Sequence, residues 1–110
     1  MKLNEYQKIS ERTANRHENE LLNYGLGLTG EAGEVADLIK KSQFHGHSVS
    51  AAEIKKELGD VLWYLSQIAS LADLSLEEVA QANIDKLAKR YPEGFSVTRS
   101  KNRNDVEGSE

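Results

Sequence analysis

From Ser50 onward one apolar stripe constrains what this chain can fold into. Ile54, Leu58, Val61, Leu62, Leu65, Ile68, Ala69 and Ala72 recur at intervals of mostly three and four, which is the period of an α-helix and puts them on one side of it. Ser50 followed by Glu53 is a capping box, so the helix is predicted to start there. Three other segments share the period. The first runs from about Asn4 to Arg16, with Leu3, Tyr6, Ile9 and Thr13 at helical spacing. The second covers at least Thr29 to Phe44, with a start as early as Asn19 left open; Ala32, Val35, Ala36 and Ile39 share a face, and Gly46 stands where a C-cap is expected. The fourth starts at Ser75, with Glu78 as its capping partner. It is expected to bury Leu76, Val79, Ala80, Ile84, Leu87 and Tyr91 before Pro92 stops it.

No segment alternates with period two, so no sheet is predicted. The expected fold is all-α, a compact four-helix bundle over residues 1–95. So small a bundle tends to leave an apolar face uncovered, so a homo-oligomer is expected. Residues 96–110 form a polar tail with only Val97 and Val106 as aliphatic anchors, and are expected to fray.

Composition narrows the function classes. The absence of cysteine removes thiolate metal sites and thiol nucleophiles. The N-terminal MKLNEYQKIS lacks the apolar stretch of a signal peptide, and no run approaches the roughly 18 apolar residues of a membrane span. A cytoplasmic location without a membrane partner is therefore expected. A net charge of -4 argues against a nucleic-acid polymer as partner. A small anion stays compatible if cations offset the acidic side chains.

Two acidic pairs carry the chemistry. Glu31 and Glu34 lie three apart on the second helix, Glu57 and Asp60 three apart on the third, so each pair shares a face. Glu31 stands four before Val35, Glu34 four before Leu38 and Glu57 four before Val61, which puts these acids at the borders of apolar stripes. Two adjacent helices can thus point four carboxylates into one partly buried pocket. Such a pocket needs protons or cations to offset its repulsion, and hard carboxylate oxygens suit Mg²⁺, with Mn²⁺ as a substitute. The plain alternative for either pair alone is a solvated acidic face. The two pairs together, beside the core and among small residues, favour the pocket.

Gly25, Gly27 and Gly30 formally match a dinucleotide fingerprint, but that motif needs a preceding strand, and helices surround this one. Gly30 and Gly33 are expected to keep space clear beside Glu31 and Glu34 for close packing or for a ligand, since each costs about 1 kcal/mol against alanine in a helix. On the fourth helix Asn83 falls in the apolar stripe between Val79 and Leu87, where an amide needs partners. Lys86 and Arg90 follow on the same side, placed either to meet phosphate oxygens or simply to flank a helix C-terminus.

The segments GLTGEAGEVADLIKK, ELGDVLWYLSQIA and NIDKLAKRYPEGF resemble the MazG-like nucleotide pyrophosphohydrolases of the all-α NTP pyrophosphatase superfamily. The resemblance covers most of residues 19–95, and the 22 residues from Val35 to Lys56 fit the family's spacing between its E-x-x-E and E-x-x-D helices. It implies that Glu31, Glu34, Glu57 and Asp60 hold Mg²⁺ and carry catalysis. It further implies that Asn83, Lys86 and Arg90 contact phosphates or metal-bound water, and that Tyr64 hydrogen-bonds near the phosphates. Family members cleave nucleoside triphosphates between the α- and β-phosphates, giving a monophosphate and pyrophosphate, and work as dimers or tetramers.

Base recognition is less legible. Trp63 suits either stacking on a base or packing at a subunit interface; Tyr6, Gln7 and Thr13 are weaker candidates. His45 and His47 invite zinc, but two histidines without cysteine read better as an exposed turn. Either Glu34 or Glu31 is the candidate general base. A di-iron bundle would need Glu-x-x-His pairs, and none of His17, His45 or His47 follows a glutamate by three. A non-catalytic helical module that binds nucleotides or a protein is the alternative to the enzyme.

Overall fold

The computed structural model describes residues 1–15, 17–44, 46 and 48–102. Among them the regular structure is entirely helical: α1 (Leu3–Ser10) runs into a 3₁₀ turn (Glu11–Thr13), followed by α2 (Glu20–Phe44), α3 (Ala51–Leu71), α4 (Leu76–Arg90) and α5 (Val97–Lys101). The chain divides into two compact units, Met1–Ser75 and a second beginning at Leu76. The all-α expectation holds. The second helix begins near the early limit left open for it, and α5 falls in the stretch expected to fray. His45, His47, Arg16 and Val106 lie outside the described residues.

Local chemistry sets the helix ends. Ser50 Oγ accepts the Glu53 N–H at 3.2 Å while Glu53 Oε1 accepts the Ser50 N–H at 3.3 Å, the capping box predicted for α3. At its other end Asp73 takes a left-handed conformation with φ 61°. The Asp73 N–H reaches the Ser70 carbonyl at 3.1 Å and the Leu74 N–H that of Ala69 at 2.8 Å. These two bonds form a Schellman closure, a position usually held by glycine. Ser96 Oγ caps α5 by accepting the Arg99 N–H at 3.0 Å.

In the first unit α2 packs along α3 as an antiparallel hairpin, and α1 lies against α3. The seam between α1 and α3 is polar. Gln7 Nε2 donates to Ser70 Oγ and to the Leu74 carbonyl, each at 2.9 Å. Ser10 Oγ donates to the Gln7 carbonyl at 2.8 Å and lies 2.9 Å from Ser66 Oγ. Gln67 Nε2 donates to Ser10 Oγ at 2.9 Å, and Ser70 Oγ to Glu11 Oε1 at 2.9 Å. Ser66 and Gln67 expose no surface at all, and Gln67 Oε1 has no partner. Gln7 is thus a structural residue here, not one free to read a base.

The apolar stripes are real as faces but largely uncovered within one copy. On α3 Ala69 is buried and Val61, Leu62 and Ile68 are half-buried, while Ile54, Leu58 and Leu65 are exposed, as is Ala72 just past its end. On α4 Leu76 is buried, but Val79, Ile84 and Leu87 are exposed, against the expectation that they enter the core. Asn83 is exposed as well, so its amide meets water instead of demanding a buried partner. The physical reason is size within each unit: a two-helix hairpin with one eight-residue helix, or α4 with the five-residue α5, cannot surround every apolar face.

Candidate metal centre

One close approach marks the register of the hairpin. A Cβ at Gly27 would overlap the ring of Tyr64, so glycine is what lets that ring lie directly on α2. Tyr24, also on α2, packs edge-on to Tyr64 with centroids 6.1 Å apart and to Trp63 at 5.5 Å; Trp63 and Tyr64 stand 5.1 Å apart at 87°. Gly30 and Gly33, by contrast, face open space, and a Cβ at either would touch nothing. The expectation of close packing belongs to Gly27 instead, because the Tyr64 ring lies against α2 at that position.

Four residues from that contact along each helix of the hairpin stand Glu31 on α2 and Asp60 on α3, with Glu57 a further turn along α3. One carboxylate oxygen of each of these three lies within 4.8 Å of the others; Glu31 and Glu57 are half-buried and Asp60 is exposed. Partial burial, and then the charges of Asp60, Glu57 and Glu34, push the Glu31 carboxyl above its ordinary range. Glu34 is exposed and outside this group of three, although its charge reaches Glu31. Farther along α2, Lys41 pairs with Asp37 at 3.0 Å, which raises the lysine's pKa. On α1 the half-buried Tyr6 phenol is also raised, chiefly by burial and secondarily by the Asp60 charge.

The donor set fits a hard divalent cation. Oxygens opposite one another around Mg²⁺ are about 4.2 Å apart, twice a metal–oxygen distance of about 2.1 Å. The three carboxylates already lie within 4.8 Å of one another, close to that span. The hairpin therefore gathers three of the four predicted ligands, drawn from both acidic motifs.

The predicted phosphate-contacting residues stand in the second unit. Asn83, Lys86 and Arg90 share one side of α4; the first two are exposed, and the Arg90 guanidinium lies 6.0 Å from the centroid of the Tyr91 ring. Trp63, back in the first unit, donates its indole N–H to Thr13 Oγ1 at 2.8 Å. Neither this bond nor the Gly27 contact is legible in the sequence. The only local hint is that Gly27 interrupts an otherwise helical segment.

Residues 16–95 match the family described as the MazG nucleotide pyrophosphohydrolase domain. The chain belongs to that family. It is also 39% identical over 82 residues to the Gene 37 protein of Mycobacterium phage L5, an overlap spanning 71% of this chain and 72% of the phage protein. No solved structure matches the chain. The MazG match contains α2, α3 and α4, hence both acidic motifs and the basic side of α4, whereas α1 and its polar seam residues precede it. Among the described residues no helix is long and apolar enough to cross a membrane.

Proposed function

We propose that this MazG-family chain is a Mg²⁺-dependent nucleoside triphosphate pyrophosphohydrolase that yields a nucleoside monophosphate and pyrophosphate. The observation that carries this reading is the gathering of Glu31, Glu57 and Asp60 within 4.8 Å across two helices. When bound, a divalent cation would neutralise charge developing on the phosphates. Glu31, Glu57 and Asp60 are the residues to hold it, which would reverse the upward push on the Glu31 carboxyl. Glu34, one turn along α2 and outside the three, is then the carboxylate left to take the proton of the attacking water. The oxygen of that water bonds to phosphorus in line, and the bridging P–O bond breaks. By family resemblance Lys86, Arg90, Asn83 and Tyr64 are each candidates to contact the substrate: the two cations suit phosphate oxygens, and the amide and the phenol can hydrogen-bond to them.

Exposed aliphatic side chains support self-association. Leu22 is 67% and Leu26 65% exposed on α2, where solvation of large apolar groups is unfavourable. We infer a homo-oligomer, with a tetramer favoured over a dimer by family resemblance, acting in the cytoplasm.

The test is product analysis on a nucleotide panel with Mg²⁺. Asp60→Asn keeps the side chain's volume but removes an anionic ligand, so hydrolysis should be abolished with the helical circular dichroism unchanged. A diphosphate with orthophosphate from the parent, or near-parental turnover by Asp60→Asn at limiting Mg²⁺, would show the assignment to be wrong. Nucleotide binding without any product would favour the non-catalytic module.

A further inference from the structure

We infer that Thr13 is a positioning residue, whose hydroxyl holds the indole of Trp63 in the orientation that takes a nucleobase beside the carboxylate cluster. This rests on the proposed nucleotide site and adds a residue that precedes the span shared with the family.

The geometry starts at Trp63, three residues after Asp60 and so just under one turn along α3 from the carboxylates. Its half-buried ring is edge-on to Tyr24 and to Tyr64. Indole Nε1 is a donor only, and it meets Thr13 Oγ1 at 2.8 Å, fifty residues away in the chain. The Thr13 hydroxyl spends its own hydrogen on the Ser10 carbonyl at 3.0 Å, which leaves its lone pairs for the indole. Ser10 is in turn tied to Ser66 and Gln67, which expose no surface and stand on α3, the helix that carries Trp63. The hydroxyl is therefore anchored to the helix whose ring it orients.

Stability gives little reason for this bond. Thr13 is exposed, and at the surface water satisfies an indole N–H almost as well. What the bond does change is rotation: a ring in perpendicular contact with two other rings and held by one hydrogen bond has fewer orientations to lose when a ligand stacks on it. Every base offers a π-face to such a ring, and the adjoining carboxylates supply the metal-binding chemistry that a triphosphate requires.

The experiment uses the full chain and its single tryptophan as reporter. Thr13→Val keeps the branched shape without the acceptor, and Thr13→Ser keeps the hydroxyl. Binding of a non-hydrolysable deoxynucleoside triphosphate and of inorganic tripolyphosphate, each with Mg²⁺, is measured by calorimetry. Acrylamide quenching of Trp63 is measured in parallel. Thr13→Val should raise quenching and weaken nucleotide binding about three- to fivefold. Tripolyphosphate, which has no base, should bind as before, and Thr13→Ser should restore both readouts. Unchanged nucleotide affinity in Thr13→Val overturns the inference. An equal loss for both ligands, or a changed oligomeric state, also overturns it, because Thr13 would then be structural. A parent that binds the analogue but releases no pyrophosphate from hydrolysable nucleotides with Mg²⁺ defeats the enzymatic reading and leaves this one standing. A parent that binds no nucleotide defeats both.

Discussion

At the scale of single residues, Gly27 and Glu31 show two ways in which a neighbour decides what a position tolerates. Alanine normally improves a helix by about 1 kcal/mol over glycine, but at Gly27 its methyl would run into the Tyr64 ring. Forced overpacking costs about 1–3 kcal/mol, so Gly27→Ala should lower stability in the parent. In a Tyr64→Ala background the ring is gone, and the same substitution should stabilise by up to about 1 kcal/mol. Urea denaturation of the four chains checks this reversal of sign; additive effects would show that the contact does not exist in solution. For Glu31 the prediction concerns pH. Its carboxyl is raised above the ordinary range by burial and by Asp60, Glu57 and Glu34, so the folded chain binds the proton more tightly than the unfolded one. That contribution is complete below the ordinary glutamate range and is lost as pH rises through the raised value. Without metal, the stability of the parent relative to Glu31→Gln should therefore fall from acid to neutral pH. Saturating Mg²⁺ should remove this loss, and melting curves of both chains across pH with and without EDTA would reveal it.

At the scale of elements, α3 carries most of the organisation, and its two ends differ in how well their residues fit. Ser50 and Glu53 satisfy the start reciprocally. The end closes through Asp73 at positive φ, where an L residue is strained and an acid opposes the negative helix terminus. Asp73→Gly should relieve both effects and raise unfolding free energy by about 0.5–1 kcal/mol, with no change in the slope against urea. A loss of stability would mean that the closure depends on the Asp73 side chain. The seam between α1 and α3 is organised differently, through side-chain hydrogen bonds among Gln7, Ser10, Ser66, Gln67 and Ser70. Helical periodicity placed these residues on helices. It gave no sign that they would meet, because a buried serine or glutamine leaves no pattern of its own until a partner comes within reach.

At the scale of the whole molecule, exposed aliphatics on α2, α3 and α4 mean that one copy leaves apolar surface in water. Light scattering at micromolar concentration should therefore give a mass at least twice that of the chain, and a stable monomer would remove this expectation. By itself the sequence determined the helical class, the α3 capping box and the two acidic pairs. These features depend on hydrogen bonds and side chains within about one turn, so a linear reading reaches them. Only the tertiary structure decided the rest. Glu31, Glu57 and Asp60 converge while Glu34 stays outside, Gly27 and not Gly30 or Gly33 admits a neighbour, and Thr13 meets Trp63. All three outcomes follow from how far one helix slides and rotates against another. That register is set by side-chain packing between residues distant in the chain, and no local spacing encodes it.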